Sequence, residues 1–193
     1  MKARAFVHIN ASGIITNDIP LFAESIENNN QINFDILYKL LGISYPKYYK
    51  MDNLSKLGFL GVELLKQQID FNLYKNGSIS QIFINSYSSL DTDVKHQHAI
   101  NKSKLPSPAI FVYTLPNIVM GEIAIRNKFY GENLFILADD FSPKDWYDLA
   151  SIQLSTGKAE AVLGGWIELF ENEFDLRLYF LDGDGENGAF EIT

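Results

Sequence analysis

The chain reads as an α/β protein built on a mixed, mainly parallel sheet of five strands with helices on both faces. Three observations predict this. Short runs rich in β-branched and aromatic residues recur at 4–10, 80–86, 134–138 and 159–167. Segments with helical spacing of apolar residues fall between them, and strands separated by helices imply a mainly parallel sheet. The 193 residues are 47% hydrophobic and 21% charged, which suits one compact unit with a sizeable core.

Residues 4–10 mix small and β-branched side chains and stop at Ser12-Gly13, as a short buried strand does. After an asparagine-rich loop, Asp35 is placed to cap a short helix carrying Ile36, Leu37, Leu40 and Leu41 toward Gly42. A stronger helix spans 52–68, with Leu54, Leu57, Gly58, Gly61, Leu64 and Leu65 on one face. Its glycines cost helix propensity, which implies a neighbour in close approach. Ile82, Phe83 and Ile84 mark the next strand, and the polar stretch from there to Pro108 is expected to be an irregular loop. Asn117 precedes a helix over 118–127, and 134–138 forms a third strand. Ser142-Pro143-Lys144-Asp145 has the order of a helix start, with Ser as N-cap and Pro at the first helical position. That helix should run to about Thr156, with Gly157 in the C′ position. A fourth strand passes through Gly164-Gly165, and 175–181 and 189–192 are expected to pair as a terminal hairpin across 182–188. The closing apolar-polar alternation is read as finishing a sheet and a complete protein.

Composition excludes several function classes. There is no Cys, so disulfides, zinc-thiolate sites and thiol nucleophiles are ruled out. A net charge of −8 argues against nucleic-acid binding, which needs clustered cations. The charge is uneven: between Glu168 and Thr193 eight acids face Arg177 alone. No apolar run reaches the length of a membrane span and no signal peptide is visible, so a cytoplasmic protein is expected.

The strings Tyr45-Pro46-Lys47-Tyr48-Tyr49-Lys50-Met51-Asp52, Tyr113-Thr114-Leu115-Pro116-Asn117 and Gly121-Glu122-Ile123-Ala124-Ile125 stand in this order, with 159–165 behind Gly157. Over about 4–182, in order and spacing, they resemble the N-terminal half of the β-ketoacyl-acyl carrier protein synthases of the thiolase superfamily. The resemblance is strongest to the short synthase-like proteins of aryl-polyene and flexirubin-type pigment pathways. It implies a single thiolase-like half. In the family a cysteine follows a buried strand at the start of a helix, where the helix dipole favours the thiolate. Counting from Gly131 and Gly157 puts the equivalent position at or beside Asp140, within Ala138-Asp139-Asp140-Phe141-Ser142. A carboxylate lacks sulfur's nucleophilicity. The family's two catalytic histidines belong to a C-terminal half with no counterpart here, and His8, His96 and His98 do not match them.

Other constellations are weaker. Asp139 and Asp140 could share a proton, yet adjacent residues at a strand end point apart, and a structural or capping role is preferred. Ser142 has no histidine near it in sequence and reads as an N-cap. His96-Gln97-His98 reads as solvated loop rather than a metal site, and 182–188 as a connection rather than a calcium loop. Phe111, Tyr113, Phe129, Tyr130, Phe135 and Phe141 are core candidates; because the family lines its acyl tunnel from this region, the resemblance makes Phe111, Tyr113 and Phe141 candidate substrate contacts. What it implies is an inactive accessory subunit in fatty-acid-like or polyene pigment biosynthesis, a pseudoenzyme pairing as a homodimer or with a full-length ketosynthase. No cofactor is expected. An acyl carrier protein, itself acidic, would meet Lys95, Lys102 and Lys104. The alternatives are an acyl-chain or small-molecule binder, and an enzyme using Asp140 as general base.

Overall fold

Lys2–Ala3 (β1) leads into Ala5–Asn10 (β2), where buried Ala5, Val7 and Ile9 alternate with half-buried Phe6, His8 and Asn10. The computed structural model describes residues 1–17, 19–21, 27–28, 31–75, 78–183 and 190–192. Ser12-Gly13 does not end the sheet here: it turns the chain into Gly13–Thr16 (β3), which pairs back on β2 and is followed by Ile19–Leu21 (β4). Glu27–Asn28 (β5) and Gln31–Ile32 (β6) form a separate small ladder.

Phe34–Leu40 (α1) is capped by Asn33, whose side chain accepts from the amides of Asp35 and Ile36. Asp35 itself lies in the first turn and pairs with Lys56, so the cap sits two residues earlier than the sequence suggests. Asn53–Leu65 (α2) starts at Asp52, which accepts from the Ser55 amide at 3.0 Å. Its glycines do mark close approach: a Cβ at Gly58 would lie 2.4 Å from Val119 Cγ2, and one at Gly61 2.3 Å from Leu176 Cδ2.

Ile79–Asn85 (β7) is buried along its whole length. Next comes Leu90–Ser103 (α3), where the sequence reads as a loop. This helix buries only Asp91 and Thr92, so its apolar residues show no stripe and periodicity cannot find it. Its evidence is chemical, with Asp91 and Asp93 in a first turn that favours acids. Pro108–Phe111 (α4) and Ile118–Asn127 (α5) precede Asn133–Leu137 (β8), and Pro143–Ser155 (α6) precedes Ala161–Phe170 (β9). Glu173–Asp182 (β10) and Phe190–Glu191 (β11) complete the chain.

The main sheet has seven strands in the order β4-β3-β2-β10-β9-β7-β8. Among the described residues of this sheet only β7 pairs in parallel, with β8 and β9; the other four pairings are antiparallel. This corrects the expectation of a mainly parallel five-stranded sheet. Among the described residues the expected terminal hairpin does not form: β10 folds back on β9 and slots between it and β2, turning one would-be parallel contact into two antiparallel ones. β11 instead pairs with β1. Of the 182–188 connection, 184–188 lies outside the described residues.

Helices cover both faces. α1, α2 and α5 pack on one, over Val7, Phe83, Leu163, Ile167, Leu176 and Leu178. α6 packs on the other, where Trp146 and Ala150 meet Ile82, Val162, Trp166 and Tyr179. Among the described residues no single helix is long and apolar enough to cross a membrane.

On the α6 face, His8 Nε2 stands 2.7 Å from Asp175 Oδ1, and Arg177 Nη2 2.8 Å from Asp175 Oδ2. Burial alone pushes this carboxyl up, but the His8 hydrogen bond and the Arg177 guanidinium more than offset it, and Asp175 titrates below its ordinary value. A folded-state value below the unfolded one gives stability that is present above the unfolded pKa and lost as pH falls through the folded one. In urea melts, the wild type should therefore lose an increment of about 1 kcal/mol on acidification below about pH 4, as expected for a partly exposed pair. Asp175→Asn should not show that increment.

Candidate functional site

In sheets with parallel strands, ligand-handling residues gather beyond the carboxyl ends. Here β7 and β8 end side by side, joined where the Ala138 amide donates to the Asn85 carbonyl at 3.0 Å. The turn after β7 is tightly held. The Asn85 side chain donates to Ser88 O at 2.8 Å and accepts from Ser88 N at 3.0 Å, and Ser88 takes a left-handed φ of 54°. From β9, the Glu168 carboxylate accepts from Ser86 N at 2.7 Å, Ser86 Oγ at 2.6 Å and Tyr87 N at 3.3 Å. Ser89 Oγ donates to Thr114 O at 2.8 Å, tying the start of α3 to the segment before α5.

The turn after β8 leads into α6. Asp139 and Asp140 are exposed at its crest. Phe141 turns inward, stacked on Tyr179 with ring centres 6.2 Å apart and tilted against Trp166. Ser142 Oγ accepts from the Asp145 amide at 3.3 Å, the N-cap geometry its Ser-Pro context predicts. Trp146, one turn later, is wholly buried and its indole N–H donates to Ile82 O at 2.9 Å, fixing α6 over β7. The crest thus presents two carboxylates just ahead of a helix N-terminus, where negative charge is favoured.

The three aromatics expected to line an acyl site are not brought together. Phe141 packs on the α6 face, whereas Tyr113 is buried on the α2 face. Phe111 is 59% exposed, its ring 5.7 Å from that of His96. Of the wider set, Phe129 is buried against Phe71, Tyr130 is exposed and Phe135 is half-buried. His96 and His98 lie on α3 two residues apart and so do not face each other, and the reading of this stretch as loop is corrected.

Sequence reasoning missed a buried polar network beneath α3. Tyr113 Oη donates to Glu122 Oε1 at 3.1 Å, and Lys47 Nζ stands 2.8 Å from Glu122 Oε2. Thr92 Oγ1 donates to Asp52 Oδ2 at 2.8 Å, linking α3 to the cap of α2. Burial pushes the Asp52 carboxyl up against the lowering pull of its Ser55 and Thr92 hydrogen bonds, and burial with the Glu122 charge raises the Tyr113 phenol. The signal was available: Glu122 is the one acid of its helix and sits among Val119, Met120, Ile123 and Ala124.

No family model matches the chain, and no curated protein matches it in sequence. Solved structures do match it in shape. The ishigamide ketosynthase/chain length factor superposes with a TM-score of 0.70 at 14% identity, over 97% of this chain and 63% of that one. The AntDE:AntF structure, a type II PKS acyl-carrier protein in complex with its ketosynthase bound to the hexaketide, gives 0.67 at 14% identity, over 98% and 65%. The chain has a ketosynthase-like fold. A third match is the ketosynthase ApeO in complex with its chain length factor ApeC from Xenorhabdus doucetiae, at TM-score 0.58 and 10% identity, over 94% of this chain and 79% of that one. The present chain spans under two thirds of the first two matched chains. Within the ketosynthase-like fold, β8 is the outermost strand of the main sheet on its side, and α6 follows the crest of Asp139 and Asp140.

Proposed function

We propose that this chain is a non-condensing, ketosynthase-like accessory subunit that pairs, through the open edge of β8, with a full-length ketosynthase of a fatty-acid-like or polyene pigment pathway. The observation that carries the reading is an apolar, unpaired sheet edge in a chain without a thiol. Among the described residues β8 has a strand on one side only, with Leu134 40% and Leu137 58% exposed, and Tyr130 beside them 73% exposed. Such an edge attracts another strand, and proteins that stay single guard theirs with charge or proline. Two of the matched structures are a ketosynthase/chain length factor and a ketosynthase in complex with its chain length factor. The chain has no cysteine to load an acyl group, and counting along the sequence from Gly131 and Gly157 puts the nucleophile's position at or beside Asp140. Lys95, Lys102 and Lys104, on and just after α3, offer cations to an acidic carrier protein.

Light scattering on the chain alone and mixed with full-length ketosynthases tests this. A new species with the summed mass is expected, and Leu134→Asp with Leu137→Asp should abolish it while leaving the far-UV circular dichroism unchanged. A chain that forms two-chain species by itself and ignores every synthase assigns the edge to a second copy. A chain that stays single throughout sinks the proposal.

A further inference from the structure

The C-terminal ends of α2 and α5 flank a cleft of about 620 Å³ that the pairing edge does not use. Its walls carry Lys66, Arg126 and Lys128 against one acid, Asp70, on a chain whose overall charge is −8. Lys66 and Arg126 share one carboxylate, Glu63, at 3.2 and 3.0 Å, so the three cations are incompletely neutralised. Gln68 also lines the cleft, and among the described residues neither its amide oxygen nor its amide nitrogen has a hydrogen-bond partner, though both are shielded from water. An unpaired buried amide is destabilising, a cost that a ligand offering both a donor and an acceptor removes once the side chain turns toward it.

We infer that this cleft binds an acidic peptide segment of a partner protein. Its volume is in the range of sites for extended or drug-sized ligands, far more than one inorganic anion fills. The C-terminal ends of two helices flank it, and their partial negative charge disfavours a bare anion. A peptide resolves this conflict: its N–H groups meet the negative helix ends and the Gln68 oxygen, its C=O groups meet the Gln68 nitrogen, and its carboxylates meet Lys66, Arg126 and Lys128. The inference does not depend on the pairing proposed for β8, since no residue of that strand lines the cleft.

Nitrogen-15 spectra of the full chain, titrated at low salt with a blocked heptapeptide of alternating Glu and Ala, test it. Shifts are expected at the Gln68 side-chain amide and at the backbone of 66–72 and 126–128. Replacing every Glu of the peptide by Gln should remove them. Lys66→Gln with Lys128→Gln should weaken binding about tenfold. Gln68→Leu should weaken binding too, yet leave the thermal midpoint unchanged or higher, because it deletes unpaired polar atoms; a merely structural glutamine would lower the midpoint instead. The inference is overturned by an absence of shifts, by shifts confined to α3 around Lys95 and Lys102, or by inorganic phosphate reproducing the peptide's pattern.

Discussion

Gly164→Ala is expected to destabilise the fold by about 3 kcal/mol or more, a large share of the roughly 5–15 kcal/mol that holds a domain folded. An alanine Cβ at this position would lie 1.8 Å from Ile82 O and 2.6 Å from Ile82 C, both backbone atoms of the neighbouring strand β7. That carbonyl cannot retreat freely, because it also accepts the Trp146 indole N–H. The next residue is equally confined: Gly165 has φ of 138°, and a Cβ there would lie 2.1 Å from Arg177 O in β10. β9 can run between β7 and β10 at this point only without side chains. Gly121→Ala is the control, since a Cβ there meets nothing within 4 Å and the change lies inside α5; it should gain up to about 1 kcal/mol. Urea midpoints of the two variants check the pair, and equal midpoints would mean that β7 and β9 do not pack as described.

Those glycines illustrate what the sequence discloses. Gly58 and Gly61 interrupt a helix that would be better without them, so their presence already reports a neighbour, and Val119 and Leu176 are that neighbour. The α6 boundaries were readable because Ser142, Pro143 and Gly157 each solve a local end problem with local chemistry. What failed to show was non-local. Nothing in the β10 residues tells whether the strand pairs with β9 alone or also separates it from β2, since a strand buried on both sides has one apolar signature for either neighbour. α3 buries only Asp91 and Thr92 and is held by Ser89 and Thr92 to distant elements, so no apolar periodicity announces it. The site was legible to the same degree. The strand-crest-helix order placing Asp139, Asp140 and Ser142 could be counted along the chain, whereas the separation of Phe141 from Tyr113 depends on which sheet face each reaches.

Trp146→Ala should cost about 3–5 kcal/mol, the range for emptying a fully buried large aromatic site. Trp146 is 0% exposed, its ring lies 5.5 Å from Tyr179, and its N–H is directed at Ile82 O. Trp146→Phe separates the contributions, because it keeps most of the ring volume and leaves the carbonyl without its extra donor; its expected cost is about 1–3 kcal/mol. The consequence reaches the crest. α6 is held down chiefly by Trp146 and Ala150, and its first turn anchors the crest of Asp139 and Asp140 through the Ser142 cap. Native-state hydrogen exchange should therefore show the α6 amides of the Ala variant opening faster than those of α2, whose packing lies on the opposite face. If α2 and α6 instead lose protection equally, the two faces unfold as one unit, and α6 cannot be perturbed separately from the sheet that presents the β8 edge.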